Sequence, residues 1–369
     1  MGTESTSRVA VVGLGQVGRH YADIVRDLGF DIVGVDADTT ARDEFARQYD
    51  VETYADLEST YEMGLDAVVV STPNSFHELA AVPALEAGLD TFIEKPIAHN
   101  YESAKRTVDA AEESSATCMV GYYLSYFEWI EALKSYIEDG YFGDISHIEC
   151  RYLYRRGVPR PGSWYTSKEI AGGGVLQDKG SFVLDLLSYF GAPLDGIESV
   201  TAKARTEFGH RDSYTALGNW GTEGEERIFD VEDSVSAFIE FEGETTATIE
   251  TSWALNGPKE HTYAIRGSDA GAYLDMHEPE LKLYGVSGSD PESLVDEEVR
   301  PLFSEDVIDD AQYGFDVDHG TLRKRIFRDF WRCARENERP ERGRPGQALA
   351  VQRAIADIYE DTGDVETVS

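Results

Sequence analysis

Residues 11–18 read VVGLGQVG, and the glycines at 13, 15 and 18 leave few choices of fold. They stand as G-x-G-x-x-G between an apolar run, RVAVV, and a segment with helically spaced apolar residues, QVGRHYADIVRDLG. In a strand–turn–helix unit each glycine lacks a side chain for its own reason. Gly13 serves the tight turn, Gly15 lets the backbone approach a pyrophosphate, and Gly18 lets helix pack on strand. The N–H groups at the helix start favour the negative charge. Further apolar runs, DIVGVD, DAVVVST, DTFIEKP and TCMVGY, alternate with helical spacers as far as residue 122. Near-continuous apolar runs are what parallel strands covered on both faces require. Residues 8–122 are therefore expected to form a doubly wound α/β domain of the Rossmann kind, after a polar tail at 1–7.

Asp36 ends the second run, 18 residues beyond Gly18. A carboxylate there accepts hydrogen bonds from the adenosine ribose hydroxyls. A ribose 2′-phosphate would face both Asp36 and Asp38, with only Arg42 nearby to compensate, so NAD is expected in preference to NADP. Leu14, Gln16 and Val17 within the turn and Ala37 beside Asp36 complete the expected cofactor contacts on this side.

Beyond an amphipathic stretch, YFEWIEALKSYIEDGYFGDI, the pattern changes to strand alternation. In SVSAFIEFEGETTATIETSW, Val235, Ala237, Ile239 and Phe241 share one face, and Ala247, Ile249, Thr251 and Trp253 share another across a glycine-containing turn. HIECRYLYR, ESVTAKART, TYAIRGS and LKLYGV are further strand candidates, and two helices, HGTLRKRIFRDFWRCAREN and PGQALAVQRAIADIYEDTG, close the chain. Residues 123–369 are expected to form an α+β domain with a mostly antiparallel sheet, serving substrate binding and oligomerisation. An open face of that sheet suits a homodimer or homotetramer. The stretch SGSDPESLVDEEVRPLFSEDVIDDAQYG is expected to be a long acidic surface loop.

Charge narrows the setting. With 33 basic and 70 acidic residues the net charge is −37, spread along the chain. Such self-repulsion is largely screened at about 1 M salt, where the Debye length is roughly 3 Å. A high-salt cytoplasm, as in halophilic archaea, is the expected location, and the surface is expected to repel nucleic acid and anionic lipid. Cys118, Cys150 and Cys333 form no C-x-x-C pair, and the eight histidines show no metal-ligand spacing, so buried thiols and no structural metal are expected.

VVGLGQVG, STPNSFHELAAVPALEAGLDTFIEKPIA and GGGVLQDKGSFVLDLLSYFG, taken in this order, resemble the glucose–fructose oxidoreductase / inositol dehydrogenase / MocA family. The resemblance runs through SWALNGPKEHTYAIRGSDAGAYL and covers nearly the whole chain. It implies a two-domain NAD(P)-dependent oxidoreductase acting on a sugar, polyol or sugar derivative, usually oligomeric. It further implies that Lys95 contacts the substrate hydroxyl region and the nicotinamide ribose, that Asp178 helps hold the substrate, and that Ser71, Thr72, Pro73, Asn74 and His77 form a cofactor-contacting loop. Glu94 and Pro96 match the bend that places the lysine, with Pro96 following a constrained peptide for which the cis form is one option. Desolvation and a cationic nicotinamide both push such a lysine toward its neutral form, which can accept a proton.

Two positions depart from the family pattern. Phe182 stands four residues after Asp178, where the family's proton-carrying His or Tyr belongs, and Ser125 stands where an arginine is common. Three replacements for the proton carrier are available: Lys95 itself, then Tyr123, then Lys179, whose side chain is expected to point away from that of Asp178. Arg155, Arg156 and Arg160, with Trp164 and Tyr165, form a further candidate substrate segment in which arginine forks suit a sugar acid, sugar phosphate or nucleotide sugar. The expected function is NAD-dependent oxidation of a sugar or polyol CH–OH, with Lys95 as proton carrier. The alternatives are a redox-neutral sugar-processing enzyme with tightly bound NAD, acting by epimerisation, elimination or glycoside cleavage, and a non-catalytic cofactor-binding regulator.

Overall fold

A computed structural model describes residues 7–160, 162–211, 214, 221, 228–277, 280–286, 294–299 and 319–363. The chain divides into two compact units, Met1–Tyr123 with Arg323–Leu349, and Leu124–Leu322 with Ala350–Ser369.

In the first unit β1 (Arg8–Val12), α1 (Gln16–Asp27), β2 (Asp31–Val35), α2 (Thr39–Tyr49), β3 (Thr53–Tyr54), β4 (Ala67–Val70), α3 (His77–Glu86), β5 (Asp90–Ile93), α4 (Tyr101–Glu113) and β6 (Cys118–Val120) follow in turn. The strands form one parallel sheet in the order β3-β2-β1-β4-β5-β6. This is the doubly wound arrangement, with β1 paired to both β2 and β4. Its order reverses beside β1, where ligands bind at the carboxyl ends of the strands. Val9, Ala10 and Val11 and all four residues of β4 are fully buried, as strands covered on both faces must be.

The second unit begins with α5 (Glu128–Glu138) and β7 (Ile145–Leu153). After α6 (Lys168–Ala171), a π-helical turn at Leu176–Gly180 leads directly into α7 (Ser181–Tyr189). Then come β8 (Ile197–Arg205), β9 (Ser234–Phe241), β10 (Thr246–Ser252), β11 (Glu260–Gly267), β12 (Ala270–Asp275), β13 (Glu280–Val286) and β14 (Leu294–Val299). They form an eight-stranded sheet in the order β14-β13-β12-β11-β7-β10-β9-β8. Among the described strands of this sheet only β7 and β10 run parallel; every other pairing among them is antiparallel. The β9–β10 register sets Ile239 opposite Ala247 and Ala237 opposite Ile249. The face read from alternation is the buried one, while Phe238 between those residues is 42% exposed. The helices α8 (His319–Glu336) and α9 (Pro345–Thr362) follow.

Two expectations need correction. Residues 294–299, inside the stretch read as an acidic loop, pair with β13 as an edge strand. Their sequence, LVDEEV, carries three consecutive acids, which hides the strand signal although backbone pairing needs no apolar side chain; the rest of that stretch lies outside the described residues. The second domain also does not keep all of 123–369, because residues from Arg323 to Leu349 pack with the first unit. Phe327 and Phe330 of α8 place their rings 5.8 and 5.6 Å from that of Phe92 in β5. Past the helix, Gly343 O accepts a hydrogen bond from Val120 N, 2.8 Å, which satisfies the edge of β6. Cys118, Cys150 and Cys333 are free and buried, and burial pushes the Cys118 thiol up to about 12. No helix among the described residues is long and apolar enough to cross a membrane.

Candidate dinucleotide and substrate sites

The turn after β1 shows why glycine is needed at two of its three positions. Gly13 has φ +92°, and a Cβ there would lie 2.6 Å from Thr72 N; a Cβ on Gly18 would lie 1.9 Å from Gly13 O. At Gly15 a Cβ would meet nothing within 4 Å, so this glycine faces open space. Gly15 also precedes α1 without a side-chain cap, and the first turn of α1 holds no acid. Gln16 is exposed, Val17 is half-buried and Leu14 is buried. Open N–H groups at a helix start, with no side chain over them, suit a pyrophosphate, so the residues present fit a dinucleotide.

Asp36 is tied to the same turn. Its Oδ2 accepts from Leu14 N at 2.8 Å, and its Oδ1 accepts from Asp38 N at 2.9 Å. Asp38 in turn caps α2 by accepting from Thr40 N. Arg42, the one cation expected to offset a 2′-phosphate, spends its guanidinium on the carbonyls of Asp36 and Ala37, 2.7 and 2.9 Å, and on Thr39 Oγ1, 3.0 Å.

The segment after β4 is fastened to this turn, with Ser71 Oγ 3.0 Å from both Val12 O and Gly13 O. Thr72 and Pro73 are half-buried, and Asn74 is buried. His77 is buried, with Nε2 2.8 Å from Thr72 O and Nδ1 2.8 Å from Pro96 O. Each ring nitrogen faces a backbone carbonyl, and because a neutral imidazole carries a single N–H it donates to one of the two, bracing the backbone between the loop after β4 and Pro96. Burial holds its pKa below the ordinary histidine range, against the upward pull of the two carbonyls.

Lys95 follows β5, and its peptide to Pro96 is cis. Glu94 organises this turn. One oxygen accepts from Lys95 N at 2.9 Å; the other accepts from Tyr21 Oη at 2.8 Å and from Arg323 Nε at 3.2 Å. The Arg323 guanidinium also lies 4.8 Å over the ring of Tyr123, which is buried just past β6. Sequence reading found Glu94, Lys95 and Tyr123 but missed Tyr21 and Arg323. Their signal was indirect: a tyrosine inside an otherwise ordinary helix, and an arginine more than two hundred residues further along.

In the second unit, the triple glycine before Asp178 has a packing cause. A Cβ on Gly173 would lie 2.0 Å from Tyr359 Oη, and one on Gly174 would lie 2.0 Å from Glu232 O. The Glu232 carboxylate accepts from Gly174 N and Leu176 N, both at 2.9 Å, and from Tyr359 Oη at 3.0 Å. Burial raises its pKa above the usual carboxylate range. This clamp fixes the start of the π-helical turn that carries Asp178.

Asp178 is buried and accepts from Trp253 Nε1 at 2.8 Å. Lys179 Nζ lies 3.6 Å from the same oxygen, Asp178 Oδ2. The expectation that Lys179 points away from Asp178 is thus overturned. The wider π-helical turn brings successive side chains closer in azimuth, and the long lysine stem curls back over Tyr152 and Tyr154, 5.4 and 5.3 Å from their ring centroids. Tyr154 and Trp253 follow the carboxyl ends of the parallel strands β7 and β10, and Trp253 donates from there to a carboxylate 75 positions earlier in the chain. Phe182 is 1% exposed in α7, a core side chain with no proton to give, and Ser125 is buried.

The arginine segment behaves differently from its reading. Arg156 donates to Arg155 O at 2.7 Å, Leu255 O at 3.1 Å and Asn256 Oδ1 at 3.1 Å, so its fork braces a loop. Arg155 is exposed and Arg160 half-buried. Trp164 and Tyr165 stack on each other, centroids 3.7 Å apart. The argument for an anionic substrate loses the guanidinium of Arg156.

A doubly wound sheet with an uncovered glycine turn, an aspartate tied to that turn and a second, mostly antiparallel unit define a two-domain dinucleotide-binding oxidoreductase. Comparison with known proteins names the family. Residues 7–122 match the oxidoreductase family with NAD-binding Rossmann fold, and residues 130–273 match the GFO/IDH/MocA C-terminal domain. The chain belongs to the GFO/IDH/MocA family. It is 31% identical over 280 residues to the D-glucoside 3-dehydrogenase of Escherichia coli (strain K12), covering 74% of this chain and 78% of that protein. It is 32% identical over 250 residues to a protein named as the oxidoreductase subunit of UDP-kanosamine synthase in Amycolatopsis mediterranei (strain S699), covering 67% and 68%. Among solved structures, a levoglucosan dehydrogenase in complex with NADH and levoglucosan aligns with a TM-score of 0.80 over 98% of both chains at 22% identity, a likeness of fold.

Proposed function

We propose that this protein is an NAD-dependent dehydrogenase of a sugar, polyol or sugar derivative, oxidising a hydroxyl-bearing carbon. The observation that carries the reading is the fastening of Lys95 at the carboxyl end of β5, where Glu94 holds its amide and His77 holds the following proline. The D-glucoside substrate of the Escherichia coli relative supports the sugar class. The turn Gly13–Gly18 and the residues Asp36 and Ala37 would hold the adenosine and pyrophosphate, and Ser71, Thr72, Pro73 and Asn74 would contact the cofactor on the side of Lys95. NAD is preferred over NADP because Asp36 and Asp38 are unneutralised at the ribose and Arg42 is already engaged. When bound, NAD supplies the acceptor for the hydride of the substrate carbon. Lys95 then receives the hydroxyl proton, Asp178 orients the sugar by accepting from its hydroxyls, and Tyr123 supplies an aromatic or phenolic neighbour. Homo-oligomeric assembly and a high-salt cytoplasmic setting belong to the same reading, the charge of −37 supporting its high-salt part.

The test is NAD reduction by the protein in molar salt against aldoses, inositols, uronic acids and nucleotide sugars. One substrate class is expected to reduce NAD, with turnover abolished in Lys95→Ala and kept in Tyr123→Phe. Silence across the panel with NAD still co-purifying would sink the simple dehydrogenase and favour redox-neutral chemistry.

A further inference from the structure

Around the Glu94–Lys95–Pro96 turn, the titratable and charged groups include Tyr21 of α1, His77 of α3, Glu94 and Lys95 themselves, Tyr123 past β6, and Arg323 of α8. One of them, Tyr21, is held uncharged. Burial and the neighbouring carboxylate lift the Tyr21 hydroxyl well above the ordinary phenol range, so it donates to Glu94 as a neutral group. Burial likewise keeps His77 below the ordinary histidine range. Glu94 is the carboxylate of the set, and its side chain is only 8% exposed. Taking such an anion out of water is costly unless a cation and donors meet it. Arg323, 17% exposed, supplies that cation. It comes from the helix that returns to this unit after the whole second sheet, and its planar fork spans Glu94 on one side and the Tyr123 ring on the other.

We propose that Arg323 is a positioning residue for the reaction: its guanidinium fixes Glu94, through Glu94 the amide of Lys95, and through its face the ring of Tyr123. The inference rests on the reading of Lys95 as proton carrier. The physical consequence concerns charge as well as place. With Arg323 present, the charge of Glu94 is matched and leaves the neutral form of Lys95 accessible. Without it, the bare carboxylate next to Lys95 favours the ammonium form, which cannot accept a proton.

The first readout is taken on the apo protein and needs no turnover. Reductive methylation with 13C gives one NMR probe per lysine, nine in the chain, and Lys95→Arg identifies the Lys95 signal. In Arg323→Met the Lys95 midpoint is expected to rise by about one pH unit. The acid limb of kcat should move with it, so that the loss is greatest near neutrality and recovers as pH rises. Arg323→Lys, which keeps the charge and loses the fork, is expected to hold the midpoint near that of the parent while lowering kcat across the range. Should Arg323→Met not fold, Tyr21→Phe removes a donor from the same carboxylate and is expected to shift the midpoint upward by a smaller amount. An unmoved Lys95 midpoint in Arg323→Met or in Tyr21→Phe, or a kcat lowered by one factor at every pH in Arg323→Met, overturns the inference. Full turnover in Lys95→Ala would instead overturn the proton-carrier reading, and the titration tells the two failures apart.

Discussion

The cofactor preference can be tested with one substitution, Asp36→Asn. In the protein, one Asp36 oxygen accepts from Leu14 N at 2.8 Å and the other from Asp38 N at 2.9 Å. An asparagine reproduces the shape but has one acceptor, so either Leu14 N or Asp38 N loses its partner. That costs about 1–2 kcal/mol of stability. On the ligand side, hydrogen bonds from the ribose hydroxyls to a carboxylate are charge-assisted, and weakening them costs NAD about 1.5–3 kcal/mol, roughly 10- to 150-fold in Kd. NADP responds in the opposite sense. Coulomb repulsion between a carboxylate and a 2′-phosphate at roughly 5 Å with an effective dielectric near 20 is about 3 kcal/mol per phosphate charge. Removing the carboxylate relieves most of it, although Asp38 remains. The ratio of the two affinities is therefore expected to move toward NADP by more than about a hundredfold. Fluorescence titration with NADH and NADPH reads both constants directly, and repeating it in molar salt should shrink the effect, because screening weakens repulsion more than hydrogen bonding. If the ratio stays where it was, or if the parent protein already binds NADPH as tightly as NADH, the assignment of Asp36 as the discriminating group is wrong.

Three further outcomes follow from the geometry. Gly18→Ala, whose Cβ would sit 1.9 Å from Gly13 O, should lower the unfolding midpoint sharply, whereas Gly15→Ala, with nothing within 4 Å, should leave Tm unchanged or slightly raised while weakening NADH binding; equal Tm losses would contradict the open face at Gly15. His261, stacked on Tyr152 at 3.8 Å and 2.8 Å from Tyr263 Oη, is held well below the ordinary histidine range by burial and then by nearby His277, His319, Lys179 and Lys259. Its contribution to stability is complete above about pH 6.5 and is lost as pH falls, at about 1.4 kcal/mol per unit, so His261→Phe should flatten the acid limb of denaturant stability; an unchanged slope refutes this. The net charge of −37 predicts a Tm that climbs between about 0.1 and 1 M KCl as the Debye length shrinks from roughly 10 to 3 Å, and a flat profile would remove the argument for a high-salt setting.

What sequence made legible is what local pattern encodes. The glycine turn, the parallel strands and the buried face of β9 and β10 each follow from a rule that acts within about twenty residues, and each is where the pattern put it. β14 escaped because three acids interrupt its pattern while its backbone still finds β13. The approach of Lys179 to Asp178 escaped because an α-helical start was assumed, and a π-helical turn differs from one by backbone bonds that no side-chain pattern announces. Trp253 was placed correctly on a buried face, yet its partner Asp178 depends on the π-helical turn packing against β10, a fact of tertiary structure.

Arg323 is the extreme case, and it shows why the missing proton carrier at 182 is better sought in the turn at Lys95 than in α7. Phe182 is packed into the core at 1% exposure, so restoring an imidazole there would exchange a filled apolar site for a buried ring needing partners. At the Lys95 turn the supporting groups already exist. Tyr21, His77 and Arg323 arrive from α1, α3 and α8, and between them they satisfy a buried carboxylate and fix both backbone flanks of the lysine. A backbone turn fixed by three helices holds the Lys95 Cα in place before any substrate arrives, and that concentration of support is the reason we propose Lys95, ahead of Tyr123 and Lys179, as the proton carrier.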